Sequence, residues 1–478
     1  MGPLSAFCDV VEAHKKRKES PLPMRRRKRD LHARVNGQLR IEFRSERLTS
    51  HAGLELFARH LRGLAFNQRL REAFGQLGFH GDYSFVAMIR LFLVLFWTGA
   101  RRLRHVRFLS HDPMVRRFAG LTSLPEERTL SRWLRQFNVE KLKALRTVNQ
   151  EIVFDAVRRL KLRTLTLDVD GSVVSTGMQT AWAARGFNPH RRKVPSYYPV
   201  LAHLAETSQI VAVKNRPGNV HDGVHAVPFL RDLIRQVRTG VGKKVRLRFR
   251  MDGAFFLREV IDLLVAKQCD FALKVPMWRW LDLKPRIQMR TRWAPITDDV
   301  SAFEMLLPIP QWNLKLRVVC YRKRVFHETA KNFQLDLYTA DDGIYEYSAV
   351  ATSLSLDPKA LWWFMAGRGA QEKTIAELKD GLAFDSIPTK HYAANSAWQW
   401  LSILAHNLHR DFQLARREEK RRRSRKATFL YRFESIKTTR FEWLNVAGRM
   451  LRLGEGLTLR LASAPEIEKR FRSCQMNT

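Results

Sequence analysis

Between about Leu54 and Leu160, apolar side chains recur at helical spacing. Leu54, Phe57, Leu61 and Leu64 fall on one face of a 3.6-residue repeat, and Phe85 to Trp97 is apolar almost throughout, as in a buried helix. This pattern predicts an all-helical unit over residues 51–160. In its last third, SLPEERTLSRWLRQF, Ser123 and Glu126 have the spacing of a capping box. Leu130, Trp133, Leu134 and Phe137 form a stripe that leaves Arg128, Arg132 and Arg135 outward. A short helix of this polarity suits the reading helix of a helix-turn-helix as well as an ordinary surface, and Arg132 and Arg135 are its candidate DNA contacts.

After Leu162 the period changes to two. In TLTLDVDGS, Leu165, Leu167 and Val169 face one way and Thr164, Thr166, Asp168 and Asp170 the other, with Gly171 ending the strand. YYPVLAHLAETSQIVAVKNRPGN reads as a hairpin turning near Thr207 and Ser208, and HAVPFLRDLIRQVR as a helix. In KKVRLRFRMDGAFF, Val245, Leu247, Phe249 and Met251 alternate with Arg246, Arg248, Arg250 and Asp252, so an acid again closes the polar face of a strand. A helix from Arg258 to Lys267 and a strand DFALKV continue the alternation. From about Pro276 to Pro358, MLLPIP, LKLRVVCYRKRV, FQLDLYT and YEYSAVATSL predict a β-rich insertion. AANSAWQWLSILAHNLHRDF then supplies a buried helix, and a last helical stretch is expected from Phe441 to Leu453. The fold class is α/β: a mixed sheet flanked by helices, with an all-helical N-terminal domain and a β-rich insertion.

Charge narrows the partners. Lys and Arg total 85 against 46 acids, a formal charge of +39, which favours polyanions and nucleic acid first. The Phe85–Trp97 run contains Arg90 and is shorter than the roughly 20 residues a membrane span requires, so no membrane role is expected. The first residues lack the apolar core of a secretory signal. Cys8, Cys269, Cys320 and Cys474 have no metal-ligand spacing and fit a reducing cytosol. Basic clusters at Lys15–Lys18 and Arg25–Arg29 read as an arm, and REEKRRRSRK as a charged linker, both suited to phosphate contacts. Trp278, Trp280, Trp293 and Trp312 suit a core or a base-stacking platform.

The chemistry rests on acids. In RGAQEKTIAELK, helical spacing sets Glu372 between Arg368 and Lys379, an exposed i,i+4 ion pair or a carboxylate beside phosphate-holding cations. Asp170 and Asp252 at two strand ends and Glu372 on a helix could together hold two divalent ions, activating water or a 3′-hydroxyl for phosphodiester chemistry. Oxygen-only ligands favour Mg2+ or Mn2+ over zinc. Asp168 shares a face with Asp170 and is its rival or a supporting acid, with Ser172 nearby.

These residues resemble the DDE transposases of bacterial insertion sequences over about Leu162 to Arg410. Asp170-Gly171-Ser172 matches the family's first acid, Asp252 its second, and Arg368, Glu372 and Lys379 its Tyr-x2-Arg-x3-Glu-x6-Lys signature, with Met365 at the tyrosine position. RPGNVHDG resembles the family's hairpin after the first acid. The resemblance implies an RNase H-like core in two parts, 161–275 and 359–412, interrupted by an insertion at 276–358. Residues 1–50 form a basic arm, 51–160 a helical DNA-binding domain and 413–478 a basic C-terminal region. It further implies binding of terminal inverted repeats, cleavage of the ends and joining of 3′-hydroxyls to target double-stranded DNA by a paired-end homodimer. Catalytic and metal roles go to Asp170, Asp252 and Glu372, and DNA contacts to Arg368, Lys379, Arg132, Arg135 and Arg250, in the bacterial cytoplasm at the nucleoid. A nuclease or resolvase without strand transfer has the same acids; an inactive DNA-binding regulator does not need them.

Overall fold

A computed structural model describes residues 41–43, 46–186, 188, 191, 193–324, 338–339, 345–416, 433–454, 456–462 and 464–473. The basic clusters of the N-terminal arm, the REEKRRRSRK run, Cys8 and Cys474 lie outside them. The residues from Arg47 onward form one unit.

A short strand β1 (Leu48–Thr49) precedes six helices: α1 (Leu54–Gly63), α2 (Phe66–Phe74), α3 (Phe85–Thr98), α4 (Pro113–Ala119), α5 (Glu127–Leu134) and α6 (Val139–Arg159). The predicted buried helix is α3. Ser84 caps it by accepting from the Ala87 N–H at 3.2 Å, and Gly99, at φ +93°, ends it where a side chain would be strained. The capping box expected for α5 does not form: Glu126 is its N-cap residue, without a side-chain cap.

The strands β2 (Thr164–Gly171), β3 (Val174–Ser175), β4 (Ser196–Tyr197), β5 (Val200–Leu204) and β6 (Gln209–Lys214) lead to α7 (Ala226–Val241), β7 (Arg246–Met251), α8 (Arg258–Ala266) and β8 (Asp270–Lys274). Next come α9 (Leu283–Gln288), β9 (Ala294–Pro295), β10 (Val300–Ile309), β11 (Leu314–Arg324), β12 (Tyr338–Thr339) and β13 (Tyr345–Thr352). The main sheet runs β6-β5-β2-β7-β8-β13-β11-β10-β9, with β12 on β13. β2, β7 and β8 are parallel neighbours, whereas β5 and β13 pair antiparallel to them. The strands of the expected insertion thus extend the central sheet. Trp278, Trp293 and Trp312 are partly buried against its core, while Trp280 is 40% exposed and stacks on Trp278 at 5.5 Å.

Three helices close the sheet: α10 (Pro358–Ala366), α11 (Gly369–Leu382) and α12 (Tyr392–Arg416). The apolar face of β2 (Leu165, Leu167, Val169) packs with Phe229, Leu230 and Leu233 of α7 in one core, while α12 shares another with α1 and α3. There Phe57 stacks on Phe412 at 4.0 Å and the Trp97 indole N–H donates to Ala405 O at 3.0 Å. The edge strand β6 is covered: Asn407 accepts from Ile210 N at 2.8 Å and donates to Ile210 O at 2.7 Å.

The sequence pattern fails at the C-terminus. Phe441–Leu453 is not one helix: after α13 (Ile436–Thr439), a π-helical turn (Arg440–Leu444) ends and the chain enters β14 (Gly448–Leu453). The reason is pairing, because β14 forms a hairpin with β15 (Gly456–Leu461), Gly454 turning at φ +59°, and its other edge takes β1. Helix α14 (Pro465–Ser473) follows.

Candidate active site

Register puts two acids side by side. β2 and β7 are parallel with Val169 opposite Met251, so Asp170 and Asp252 both leave the sheet at the carboxyl ends of adjacent strands. Asp252 caps a short 3-10 turn, accepting from Ala254 N at 3.2 Å, and Asp170 accepts from Gly171 N at 2.9 Å.

A third carboxylate joins them from the loop between β6 and α7. One oxygen each of Asp170, Asp222 and Asp252 lies within 4.8 Å of the others. Asp222 is held there by the Tyr198 hydroxyl, 2.6 Å from Oδ2, and by the buried Arg216 guanidinium, 2.8 Å from Oδ1. Burial, followed by the Asp222 charge, pushes the Tyr198 hydroxyl well up, so it stays protonated as the donor. Gly171 makes the approach possible: a Cβ there would collide with the Asp222 carboxylate and sit 2.5 Å from the Tyr198 ring. Sequence reasoning passed over Asp222 inside RPGNVHDG, where the available signal was a lone acid just past a Pro-Gly turn.

Arg368 balances the group. It is the N-cap residue of α11, and its Nη2 lies 2.7 Å from Asp170 Oδ2 and 3.7 Å from Asp252 Oδ2. The expected surface pair with Glu372 is therefore replaced by pairs across the site. Burial works to lower the Arg368 pKa, but Asp170 and Asp252 outweigh it and leave it raised. Burial pushes the Asp170 carboxyl up to about 7, Arg368 opposing and Asp252 and Asp222 adding. Arg368 Nε is buried with no hydrogen-bond partner among the described residues, a donor directed at no protein oxygen.

The other expected residues divide. Glu372 is exposed in the first turn of α11 and is not in the carboxylate group. Lys379, half-buried, donates to Val173 O at 2.9 Å, and burial lowers its pKa. Arg132 on α5 and Arg135, its C-cap residue, are exposed. Arg250, expected to contact DNA, is held inside the protein. It is 4% exposed, gripping Asp168 with Nε at 2.6 Å and Nη2 at 2.9 Å, while Nη1 donates to Phe364 O. Asp168 is fully buried, also meets His203 Nδ1 at 3.1 Å, and so is no rival to Asp170. It supports the site from beneath, and Gln371 Nε2 ties α11 to its backbone carbonyl at 3.1 Å. Ser172 is buried, its N–H donating to Pro199 O at 3.0 Å.

Residues 31–477 match the family model described as transposase DDE domain group 1. The chain belongs to this family. As a DDE transposase it is an enzyme of metal-dependent DNA rearrangement, and its site fits such an ion: the clustered donors are all carboxylate oxygens, the ligands that hard divalent cations take. Among solved structures, the transposase is similar to a piggyBac transposase synaptic complex with hairpin DNA, at 10% identity over 75% of this chain and 74% of that one, TM-score 0.43. It is also similar to a Mos1 transposase paired-end complex with the left transposon end, at 12% identity over 41% of this chain and 60% of that one, TM-score 0.17. No curated protein matches it. No described helix is long and apolar enough to cross a membrane.

Proposed function

We propose that this transposase binds the terminal inverted repeats of an insertion sequence, hydrolyses phosphodiester bonds at its ends and joins the freed 3′-hydroxyls to target DNA, working as a paired-end homodimer. The observation that carries the reading is the meeting of Asp170 and Asp252 at the ends of adjacent parallel strands, opposed by Arg368. Asp170, Asp252 and Glu372 would hold Mg2+ or Mn2+, two ions in all. When bound, the ions would supply polarisation of the phosphate and activation of water or a 3′-hydroxyl. The protein's own part is positional. Two strand ends fix the acids, Gln371 fixes the helix that carries Glu372, and the unpartnered Nε of Arg368 is a donor for a phosphate oxygen.

A second reading of the third ligand has its own support, because Asp222 and not Glu372 stands in the carboxylate group. In that reading Arg216 and Tyr198 orient Asp222 as the ligand, and Glu372 faces the strand.

Cleavage of DNA carrying the element's ends should require Mg2+ or Mn2+ and vanish in Asp170→Ala and Asp252→Ala while DNA binding persists. Equilibrium Mn2+ binding then separates the readings. Loss in Glu372→Ala with little change in Asp222→Asn supports the first, and the converse supports the second. Undiminished cleavage in Asp170→Ala would refute both.

A further inference from the structure

A groove of about 890 Å³ is walled in part by the segment that follows Asp170, through Val173 and Ser175. Its lining brings together Arg102 and Arg104 from the turn after α3, Arg128 from the start of α5, Arg191 from the loop before β4, and Lys379 of α11. Arg102, Arg104, Arg128 and Arg191 are exposed, and their guanidinium groups make no hydrogen bond or ion pair among the described residues. Four unneutralised cations from three segments around one concavity repel one another, a cost that folding would avoid unless an anion fills the space. The two acids in the lining do not cancel them. Asp385 is taken by Arg101, whose Nη2 lies 2.6 Å away, which leaves Glu127 alone against four.

The neighbourhood feels this field. His105, on the same turn, has its pKa lowered by burial and then by Arg104 and Arg102. The groove also shares a segment with the site. Val173 and Ser175 line it a few residues beyond Asp170 on the same segment, and Lys379 is tied to the Val173 carbonyl at 2.9 Å.

We propose that this groove, with Arg102, Arg104, Arg128 and Arg191 as its contacts, binds the phosphodiester backbone of duplex DNA and leads one strand to the carboxylates. The proposal rests on the DNA-cleaving reading above and adds the path of the substrate. It assigns DNA contact on α5 to Arg128 at the helix start, within the groove, and makes the helical segment and the catalytic sheet two walls of one binding surface. The contacts are to phosphates, so they hold register without reading sequence.

The test is binding, measured without Mg2+ or Mn2+ so that failure of the chemistry does not enter. Fluorescence anisotropy of the full chain with a labelled duplex of arbitrary sequence is followed across a salt series. The comparison is Arg102→Gln/Arg104→Gln, Arg128→Gln/Arg191→Gln and, as a control of equal charge loss, Lys243→Gln/Lys244→Gln. Those lysines are exposed and lie before β7, at the end of the strand away from Asp252. Each groove pair should weaken binding about tenfold or more at moderate salt and flatten the slope of log affinity against log salt by about two. The control should change neither by more than a small fraction. Groove pairs that bind like the parent would overturn the proposal. So would a control that loses as much as they do, since the effect would then be only the overall field. The exposed positions should leave melting temperatures unchanged, and Arg→Lys at the same sites should restore the salt slope.

Discussion

At the residue scale, Arg368 changes what substitution should do. A surface pair with Glu372 would be worth roughly 0.3–0.5 kcal/mol, and its loss would pass unnoticed. Arg368 instead lies against Asp170 and Asp252 with its side chain only 11% exposed, so Arg368→Gln removes the positive charge that faces both of these carboxylates. The expected result is a lower melting temperature in EDTA, with a loss below the roughly 3–5 kcal/mol of a fully buried pair because the acids keep some solvent. Mn2+ should restore most of it by replacing the missing positive charge. A melting temperature equal to the parent's in EDTA would show that Arg368 does not balance the acids.

At the element scale, the edge of the sheet depends on α12. β6 has no strand beyond it among the described residues, and its Ile210 N–H and C=O are both taken by the Asn407 side chain, which Asn149 joins through its own amide. A helix side chain does here what a further strand would do. Asn407→Leu has similar bulk but strands a buried donor and weakens its acceptor, a penalty of about 1–3 kcal/mol for each group left unmade. Urea denaturation should show a loss of that order with an unchanged m-value; a loss under half a kilocalorie would mean that the edge finds another partner. The same logic explains why the insertion could be seen as strands but not placed. Alternation in β11 and β13 is a local signal, whereas the pairing of β13 with β8 joins segments far apart in sequence.

At the scale of the whole molecule, stability should depend on pH through buried histidines. Burial, then Arg410, holds the His406 and His409 pKa values well below the usual imidazole range, with His406 meeting Ser208 O at 2.8 Å and His409 meeting Thr439 Oγ1 at 2.8 Å. A base whose folded pKa is depressed contributes full stability above its ordinary pKa, near 6.5, and loses it as the unfolded chain takes up protons below that value. Asp170 acts oppositely: raised to about 7, it favours the folded state most when protonated, and that contribution fades as pH rises through its folded value. Thermal melts of Asp170→Asn remove the second effect. This variant should lose stability steadily from pH 7.5 to 5.5, and a flat profile would contradict neutral burial of both histidines.

The sequence alone determined what short-range chemistry dictates. The buried run that became α3, the alternation of β2 and β7, and the ends of both strands at acids followed by glycine all depend on neighbours within a few residues, and they put Asp170 and Asp252 at strand ends. The spaced signature pointed to Arg368, Glu372 and Lys379 as a set. Tertiary structure decided who meets whom. The polar face of β7 gave Arg250 and the polar face of β2 gave Asp168, but only stacking the strands in parallel register turned those two into a buried pair and left Asp170 and Asp252 facing outward at the rim. Asp222 could not be read because its place depends on Arg216, Tyr198 and the missing side chain of Gly171, three residues with no common spacing. The C-terminal segment became a hairpin instead of a helix because β1, hundreds of residues away, offers it an edge, and pairing across such a distance leaves no trace in local periodicity.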